Sequence, residues 1–345
     1  MKNTLVKADL NLFIEHIPMK KGIEKEAVEK SIEKALDFLE TSQLSSGEFA
    51  FYTSNSPLMT PVYTVPRCPF TATFVLHALK YVGRTKRTEK IINKGLHFLL
   101  TEKEPPGIWR MSKASSPMPA LDLDDTCLSL AALREYEVTG TDYEFSAKYL
   151  EKYRNKEGLF YTWILENFEE NNTIDSVVNT NVLFFYSFQN RTFGNVLKHL
   201  NDVVKNSELQ KNKFESVYYP SPYALTYAVT RLYKDGGIRN LNIPTSLIGE
   251  LILKKQKSEG LGENDLEVAL AAVSLLNIGY RDNQINNALS HLLEAQRPNG
   301  SWPNNFIFVG PFLSDPCYYY GSEELTTTFS LEALAKYLYH NYSTK

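Results

Sequence analysis

A motif that occurs near both ends of the chain decides the fold. Residues 288–302 read ALSHLLEAQRPNGSW, and residues 35–49 read ALDFLETSQLSSGEF. In both segments apolar residues recur at helical spacing, and the helix leads into the pattern Gln-x-x-x-Gly-x-aromatic. Glycine suits the left-handed turn that ends a helix and reverses the chain. The motif therefore predicts an amphipathic helix followed by a tight turn.

The same frame recurs between these two copies with a changed first residue or a missing aromatic residue. The further copies end in Gly107-Ile108-Trp109, Gly158-Leu159-Phe160 and Gly260-Leu261-Gly262. The long interval between the last two leaves room for one more, degenerate copy, for which residues 210–214 are the candidate. Repetition at this period indicates a helical-repeat architecture.

A second helical run follows each turn and is richer in small and apolar residues than the first. Every run starts with Ser, Thr, Asp, Asn or Pro, as helix N-termini do. The starts lie near residues 69–72, 124–126, 176–179, 221–223, 264–266 and 325–327. Six such hairpins predict an all-α fold, an (α/α)6 barrel in a single domain over residues 1–345, with the inner-helix N-termini around one cavity mouth. Strand signals are few, so the aromatic stretches 160–164 and 305–309 are expected in turns.

The composition is that of an ordinary globular protein. The net charge of −3 gives no argument for a nucleic-acid partner. The three cysteines, Cys68, Cys127 and Cys317, form neither a disulfide framework nor a zinc signature, which favours a cytoplasmic location. The N-terminus lacks a hydrophobic signal region, and no apolar run is long enough to span a bilayer. The aromatic share of 12% fits either an aromatic-lined cavity or an aromatic core.

Three carboxylates stand together at the start of the second inner helix, in Asp122-Leu123-Asp124-Asp125-Thr126. Acidic residues cap helix N-termini, and capping accounts for two of them. A third crowds like charges, which raises the pKa of at least one carboxyl and holds it protonated near neutral pH. A neutral carboxylic acid can donate a proton. The stretch has two readings, helix cap and Brønsted acid, and its place at the predicted barrel mouth favours the acid.

Together, the repeats and the acidic stretch resemble the terpenoid cyclase and protein prenyltransferase superfamily. The repeats cover roughly residues 25–340, and Asp122-Leu123-Asp124-Asp125-Thr126 matches the Asp-x-Asp-Asp-Thr element of class II terpene cyclases such as squalene–hopene cyclase. Those enzymes carry two or more helical domains, whereas this chain has the length of one barrel. It is therefore most similar to the monodomain class II cyclases, which act on prenylated aromatic acids in meroterpenoid pathways.

The resemblance implies a proton-initiated cyclisation that needs no metal and no other cofactor. Asp124 would be the general acid that protonates a terminal alkene or epoxide, and Asp122 and Asp125 would polarise and orient it. The partner would be a prenylated small molecule rather than nucleic acid. Its uptake would involve peripheral contact with a membrane.

A carbocation in the cavity needs aromatic faces, each worth about 1–2 kcal/mol when desolvated. The predicted substrate-binding aromatic residues are Trp109, Phe160, Trp163, Tyr218, Tyr219, Trp302 and Tyr319, with Tyr223, Phe306, Phe308, Tyr318 and Tyr320 as further candidates. Trp109, Phe160 and Trp302 occupy the aromatic position of the repeat, where a structural role is the alternative. Asn179, with Asn181, would hydrogen-bond the acids or cap its own helix. Arg67 would bind a polar head group or be an exposed loop charge.

Other functions share parts of this pattern. A protein prenyltransferase β-subunit needs zinc held by Asp, Cys and His. Asp315 and Cys317 offer two of these ligands, but residues 326–329 lack the histidine. An α/α-barrel glycosidase would use Asp124 as the acid and a distant Glu as the base. A non-enzymatic helical-repeat module would bind a partner along a concave surface.

Overall fold

Outer and inner helices alternate along the computed structural model, which describes residues 23–114, 120–167, 172–206, 216–238, 245–281, 283–310 and 317–342. The outer helices are α1 (Lys25–Ser42), α3 (Lys86–Glu102), α5 (Tyr143–Leu150), α7 (Gly194–Asn206), α9 (Thr245–Glu259) and α11 (Asn283–Ala295). The inner helices are α2 (Phe70–Val82), α4 (Leu123–Glu135), α6 (Ser176–Ser187), α8 (Pro222–Lys234), α10 (Asp265–Asn277) and α12 (Glu323–Tyr342). Each predicted start of an inner helix lies at or beside the observed one, so these predictions are confirmed.

The inner helices form a closed ring. Each packs against the inner helices of the hairpins before and after it, and α12 packs against α2 to complete the circle. In α10 every residue from Leu266 to Asn277 is buried, because neighbouring helices cover it on all sides. The outer helix α3 buries a single face, as an amphipathic surface helix does. The predicted (α/α)6 barrel is confirmed.

The repeated motif fastens neighbouring outer helices to one another. Gly47 and Gly300 have φ angles of +94° and +92°, in the left-handed region that the motif predicted. A Cβ at Gly300 would stand 2.1 Å from the carbonyl oxygen of Lys34 in α1, so glycine alone allows this approach. Gln296 Nε2 donates to the carbonyl oxygens of Ser31 (2.9 Å), also in α1, and of Gly300 (3.1 Å). The last hairpin is thereby joined to the first.

Replacing Gly300 by alanine should destabilise the ring closure strongly. Gly300→Ala adds a backbone clash to the strain of a left-handed alanine, and we expect the free energy of unfolding to fall by about 3–5 kcal/mol. Gly279 is the matched control, because its φ is also +92° and nothing lies within 4 Å of its Cβ position. Gly279→Ala should cost about 1–2 kcal/mol. Equal losses in urea-denaturation curves would contradict the role given to the contact with α1.

A small antiparallel sheet was not predicted. Its strands are β1 (Tyr52–Ser54), β2 (Tyr63–Thr64), β5 (Asn305–Gly310) and β6 (Tyr318–Ser322), in the order β2-β1-β6-β5, while β3 (Leu121–Asp122) pairs with β4 (Trp163–Ile164). The expectation that 305–309 and 160–164 lie in turns is wrong for 305–309 and for the end of 160–164. The reason is that β5 and β1 both pair with β6, and β1 is far from both in sequence.

Two predictions fall outside the described residues, namely the degenerate repeat at 210–214 and the candidate zinc ligand Asp315. Cys317, the other candidate zinc ligand, is described and is half-buried, with a free thiol. Among the helices described, none combines the length and the apolar character required to cross a membrane.

Candidate active site

The three acids lie at the start of α4 and are at most 9% exposed. Asp122 ends β3 and is the N-cap residue, and its Oδ1 accepts a hydrogen bond from the backbone N–H of Asp125 (2.7 Å). The pairing of β3 with β4 sets Asp122 opposite Trp163. The capping role is therefore confirmed for Asp122. The carboxyls of Asp124 and Asp125 belong to the first turn of the helix and, with Asp122, line a cavity.

Asp124 is held by donors from the two following repeats. Asn181 in α6 donates from Nδ2 to Asp124 Oδ1 (2.7 Å), and the Tyr219 hydroxyl donates to Oδ2. Asp175 orients both donors, because its Oδ1 caps α6 while its Oδ2 accepts the backbone N–H of Val217 (2.7 Å). A single carboxylate thus positions the helix and the segment that carry the two partners of Asp124.

Burial raises the pKa of all three acids. The pKa of Asp124 rises from 3.8 to about 6 because of burial, against the hydrogen bonds from Tyr219 and Asn181, which lower it. Burial, followed by the charge of Asp124, raises the pKa of Asp122 to about 7. The pKa of Asp125 lies well above its ordinary value, first from burial and then from repulsion by its two neighbours. The sequence predicted raised pKa values from like-charge crowding, whereas burial is the larger cause.

A cavity of about 700 Å³ lies beside the acids. This volume is typical of pockets that enclose a small organic ligand. Most of the lining is apolar or aromatic. Besides the acids, the described lining consists of Thr53, Thr64, Val65, Phe70, Met111, Ala120, Thr162, Trp163, Leu165, Val178, Tyr218, Tyr219, Phe308, Val309, Gly310, Tyr318 and Tyr320. The acids therefore form part of the wall of an aromatic chamber.

Three of the predicted substrate-binding residues, Trp163, Tyr218 and Tyr219, line this cavity. Trp163 Nε1 donates to the Tyr218 hydroxyl (2.7 Å), and the two rings meet edge to face with centroids 5.7 Å apart. Tyr219 meets Phe308 edge to face at 5.9 Å. Further candidates that line the cavity are Phe308, Tyr318 and Tyr320. These contacts restrain the rings at the cavity wall.

Trp109, Phe160 and Trp302 are not part of the described cavity lining, and their role in substrate binding stays a prediction. All three are completely buried in the aromatic position of the repeat. The indole Nε1 of Trp109 donates to the carbonyl oxygen of Leu99 (2.8 Å), and that of Trp302 donates to Leu292 (2.8 Å). Both acceptors lie near the ends of outer helices, so these rings join the turn to its own hairpin. These contacts favour the structural role for the three residues.

The side-chain contacts described for Asn179, Arg67 and Tyr319 are with residues outside the cavity. Asn179 accepts the backbone N–H of Phe160 (2.9 Å) and donates to its carbonyl oxygen (2.8 Å), which ties a repeat turn to α6. Arg67 pairs with the buried carboxylate of Glu102. The Tyr319 ring packs against a neighbouring aromatic ring of the sheet. None of the three is part of the described cavity lining, and their role in binding substrate stays a prediction.

Two residues that organise the site were not predicted. In the sequence Asp175 looks like an ordinary helix cap, because its other hydrogen-bond donors, such as Ser216 and Val217, are distant in sequence. Arg231 donates from Nη2 to Asn181 Oδ1 (2.6 Å). Arg231 could have been predicted from the sequence. It lies within the apolar run PYALTYAVTRLYK (222–234), and an arginine in such a run of an inner helix becomes a buried charge.

Comparison with known proteins identifies the fold. No family model and no curated protein sequence matches this chain. The solved structure of the type II terpene cyclase MstE from Scytonema aligns with a TM-score of 0.70 at 14% identity, over 92% of this chain and 99% of that chain. A variant of MstE in complex with its substrate geranylgeranyl dihydroxybenzoate aligns with a TM-score of 0.70 at 15% identity, over 91% and 98%. An unsaturated glucuronyl hydrolase specific for heparin aligns with a TM-score of 0.59 at 15% identity, over 91% and 98%. The predicted resemblance is confirmed at the level of the fold, which this chain shares with the type II terpene cyclase MstE.

Proposed function

We propose that the protein is a class II terpene cyclase in which Asp124 donates the proton that starts cyclisation. The O–H bond of the acid breaks as a C–H bond forms at the terminal alkene of a prenyl chain, and a tertiary carbocation results. The next double bond supplies the electron pair of the new ring bond. Loss of a proton from carbon ends the reaction, so the product is an isomer of the substrate.

The observation that carries this proposal is a protonatable carboxyl in the wall of an aromatic cavity. Burial raises the pKa of Asp124 to about 6, so this carboxyl holds a proton in mildly acidic solution that it can transfer to an alkene. Burial also raises the pKa values of Asp122 and Asp125. The surrounding rings supply cation–π attraction of about 1–2 kcal/mol each.

The proposed substrate is a prenylated aromatic acid, since MstE, which shares this fold, has geranylgeranyl dihydroxybenzoate as its substrate. We propose that the reaction needs no metal and no other cofactor, and that the chain acts as a single domain in the cytoplasm. Uptake of the substrate through peripheral membrane contact stays a prediction.

The test is incubation with farnesylated and geranylgeranylated aromatic acids in D₂O with a chelator present. We expect a cyclic isomer that carries one deuterium, bonded to the carbon that was the terminal alkene CH, because the first step takes its hydron from the acid. Mass spectrometry and NMR locate the label. Heat-denatured protein is the control. Cleavage of an unsaturated glucuronide without turnover of any prenyl substrate would contradict the proposal and favour a glycosidase.

A further inference from the structure

Arg231 is a cation buried in the middle of the barrel. Its side chain is 2% exposed. The guanidinium lies 4.4 Å from the ring centroid of Phe184 and 5.3 Å from those of Phe74 and Tyr227. Burying a charge is costly unless it is paired or hydrogen-bonded, and aromatic faces compensate only part of the cost. The function of this buried charge therefore depends on the polar group that the guanidinium contacts.

One side chain, Asn181, connects Arg231 to Asp124. Arg231 Nη2 donates to Asn181 Oδ1 (2.6 Å), and Asn181 Nδ2 donates to Asp124 Oδ1 (2.7 Å). Neither Arg231 nor Asn181 belongs to the described cavity lining, so Asn181 contacts Asp124 from behind the cavity wall and Arg231 supports Asn181 there. An asparagine amide can present either its oxygen or its nitrogen to a neighbour. The guanidinium has only donors, so it selects the orientation in which the Asn181 nitrogen faces Asp124.

We propose that Arg231 is a positioning residue for the acid, which holds the Asn181 amide toward Asp124 Oδ1 and so strengthens Asp124 as a proton donor. This inference rests on the proposed function for its catalytic meaning. The Asn181 amide nitrogen can only donate to Oδ1, whereas the Tyr219 hydroxyl beside Oδ2 can also accept, so the neutral acid carries its proton on Oδ2. A donor that is itself bonded to a cation also stabilises the carboxylate left after proton transfer.

Among the charged groups around Asp124, Arg231 is a cation that favours ionisation of this carboxyl. The charged and titratable groups that face Asp124 are Asp122 at the end of β3, Asp125 and Cys127 on α4, Asp175 before α6, Tyr219 before α8, and Arg231 on α8. The carboxylates among them oppose ionisation of Asp124, whereas the charge of Arg231 lowers its pKa. Removing this cation should therefore raise the pKa of Asp124 and make it a weaker acid.

The direct test is an NMR titration of protein labelled with ¹³C at the aspartate carboxyls, without substrate. The Asp124 signal is the one that Asp124→Asn removes. We expect Arg231→Met to raise its midpoint by about one pH unit. Asn181→Leu should also raise the midpoint of the Asp124 titration. This variant provides the test if Arg231→Met fails to fold. Arg191→Met is the matched control, because Arg191 also stacks on a tyrosine (5.1 Å to the Tyr186 centroid) but pairs with Glu151.

Kinetics give a second readout. Only the protonated acid is active, so the rate of the wild type should fall as the pH rises through about 6. In Arg231→Met the falling limb should move to higher pH while the low-pH plateau drops about ten-fold. A purely structural defect would lower the plateau without moving the limb. An unchanged Asp124 midpoint in both variants, or an equal rise in Arg191→Met, would overturn the positioning role. Absence of product from the wild type would count against the proposed function and leave the titration valid.

Discussion

Asp124→Asn should abolish cyclisation while leaving the fold intact. General acids contribute about 10²–10⁴-fold to rate, and we expect a loss of at least that size in product formed per minute, measured by mass spectrometry. The asparagine matches the neutral acid in shape. Its oxygen can accept from Asn181, and its amide N–H can donate to the Tyr219 hydroxyl. The loss should therefore come from the missing proton and not from a collapsed site.

The same variant should be more stable than the wild type at high pH. The pKa of Asp124 in the folded protein, about 6, lies above its ordinary value of 3.8. The contribution of Asp124 to the unfolding free energy is therefore complete below about pH 3.8 and is lost as the pH rises through about 6. The difference between these pKa values corresponds to about 3 kcal/mol. We expect the unfolding free energy of Asp124→Asn, relative to wild type, to increase by about that amount from pH 4 to pH 8.

A capping aspartate elsewhere provides the control. Asp142 caps the outer helix α5 by accepting the backbone N–H of Phe145 (2.9 Å). Asparagine caps helices equally well, so Asp142→Asn should leave activity and the fold unchanged. Full activity in Asp124→Asn would exclude Asp124 as the acid.

Lys336→Met should destabilise the barrel by about 3–5 kcal/mol at neutral pH. Lys336 is completely buried in α12, and its Nζ lies 2.8 Å from Glu332 Oε1 and 3.3 Å from Asp235 Oδ2. His77 lies within the same cluster, 3.0 Å from Glu135 Oε1 and 3.4 Å from Asp235 Oδ2. These groups sit toward the C-terminal ends of the inner helices, whereas the acids sit at an N-terminus. Removing the lysine leaves buried carboxylates without their cation.

The pKa values describe how the cluster is balanced. Burial lowers the pKa of Lys336, but Glu332 and Asp235 more than offset this, so it is above its ordinary value. The pKa of Asp235 is well below its ordinary value, because Lys336 and His77 outweigh its burial. In Lys336→Met the pKa of Asp235 should rise. Stability would then be lost as the pH rises through this pKa, so the deficit in the unfolding free energy of the variant should be smaller at pH 5 than at pH 8.

An exposed lysine separates this effect from the general loss of a charge. Lys148 forms a surface pair with Glu144 at 3.5 Å within α5. Lys148→Met should change the unfolding free energy by no more than about 0.5 kcal/mol, because exposed helix pairs contribute little. Denaturant titrations at both pH values compare the two variants. A deficit in Lys336→Met that does not depend on pH would mean that lost packing, and not unpaired charge, causes it.

The helical framework was predictable because its signals are local. Ser, Thr, Asp, Asn or Pro marked the start of each inner helix in the sequence, and Gly300 marked a turn that requires a left-handed residue. The acids were found for the same reason, since three carboxylates at one helix start are visible in a window of a few residues. Asp122 caps α4 and also lines the cavity, while its role in catalysis stays a prediction.

Assignment of the aromatic residues could not be made from the sequence. Trp109 and Trp163 are both tryptophans near inner-helix starts, yet one bonds the carbonyl oxygen of Leu99 inside its own hairpin and the other lines the cavity. Hydrophobicity directs both into the interior without specifying which side of a helix layer they reach. The prediction of a turn at 305–309 was wrong for a similar reason, because the partner of this strand, β6, also pairs with β1, which is far away in sequence.

By itself, the sequence determined the repeat, the six inner-helix starts and the presence of an acidic turn, because helix periodicity, capping and glycine turns act over a few neighbouring residues. The tertiary structure alone decided how the acid is tuned. Tyr219 and Asn181 reach Asp124 across 95 and 57 positions of sequence, and Arg231 reaches Asn181 across 50. Ring closure brings these groups together and removes water from around them. The pKa of a carboxyl follows from that burial and those partners, which no local pattern records.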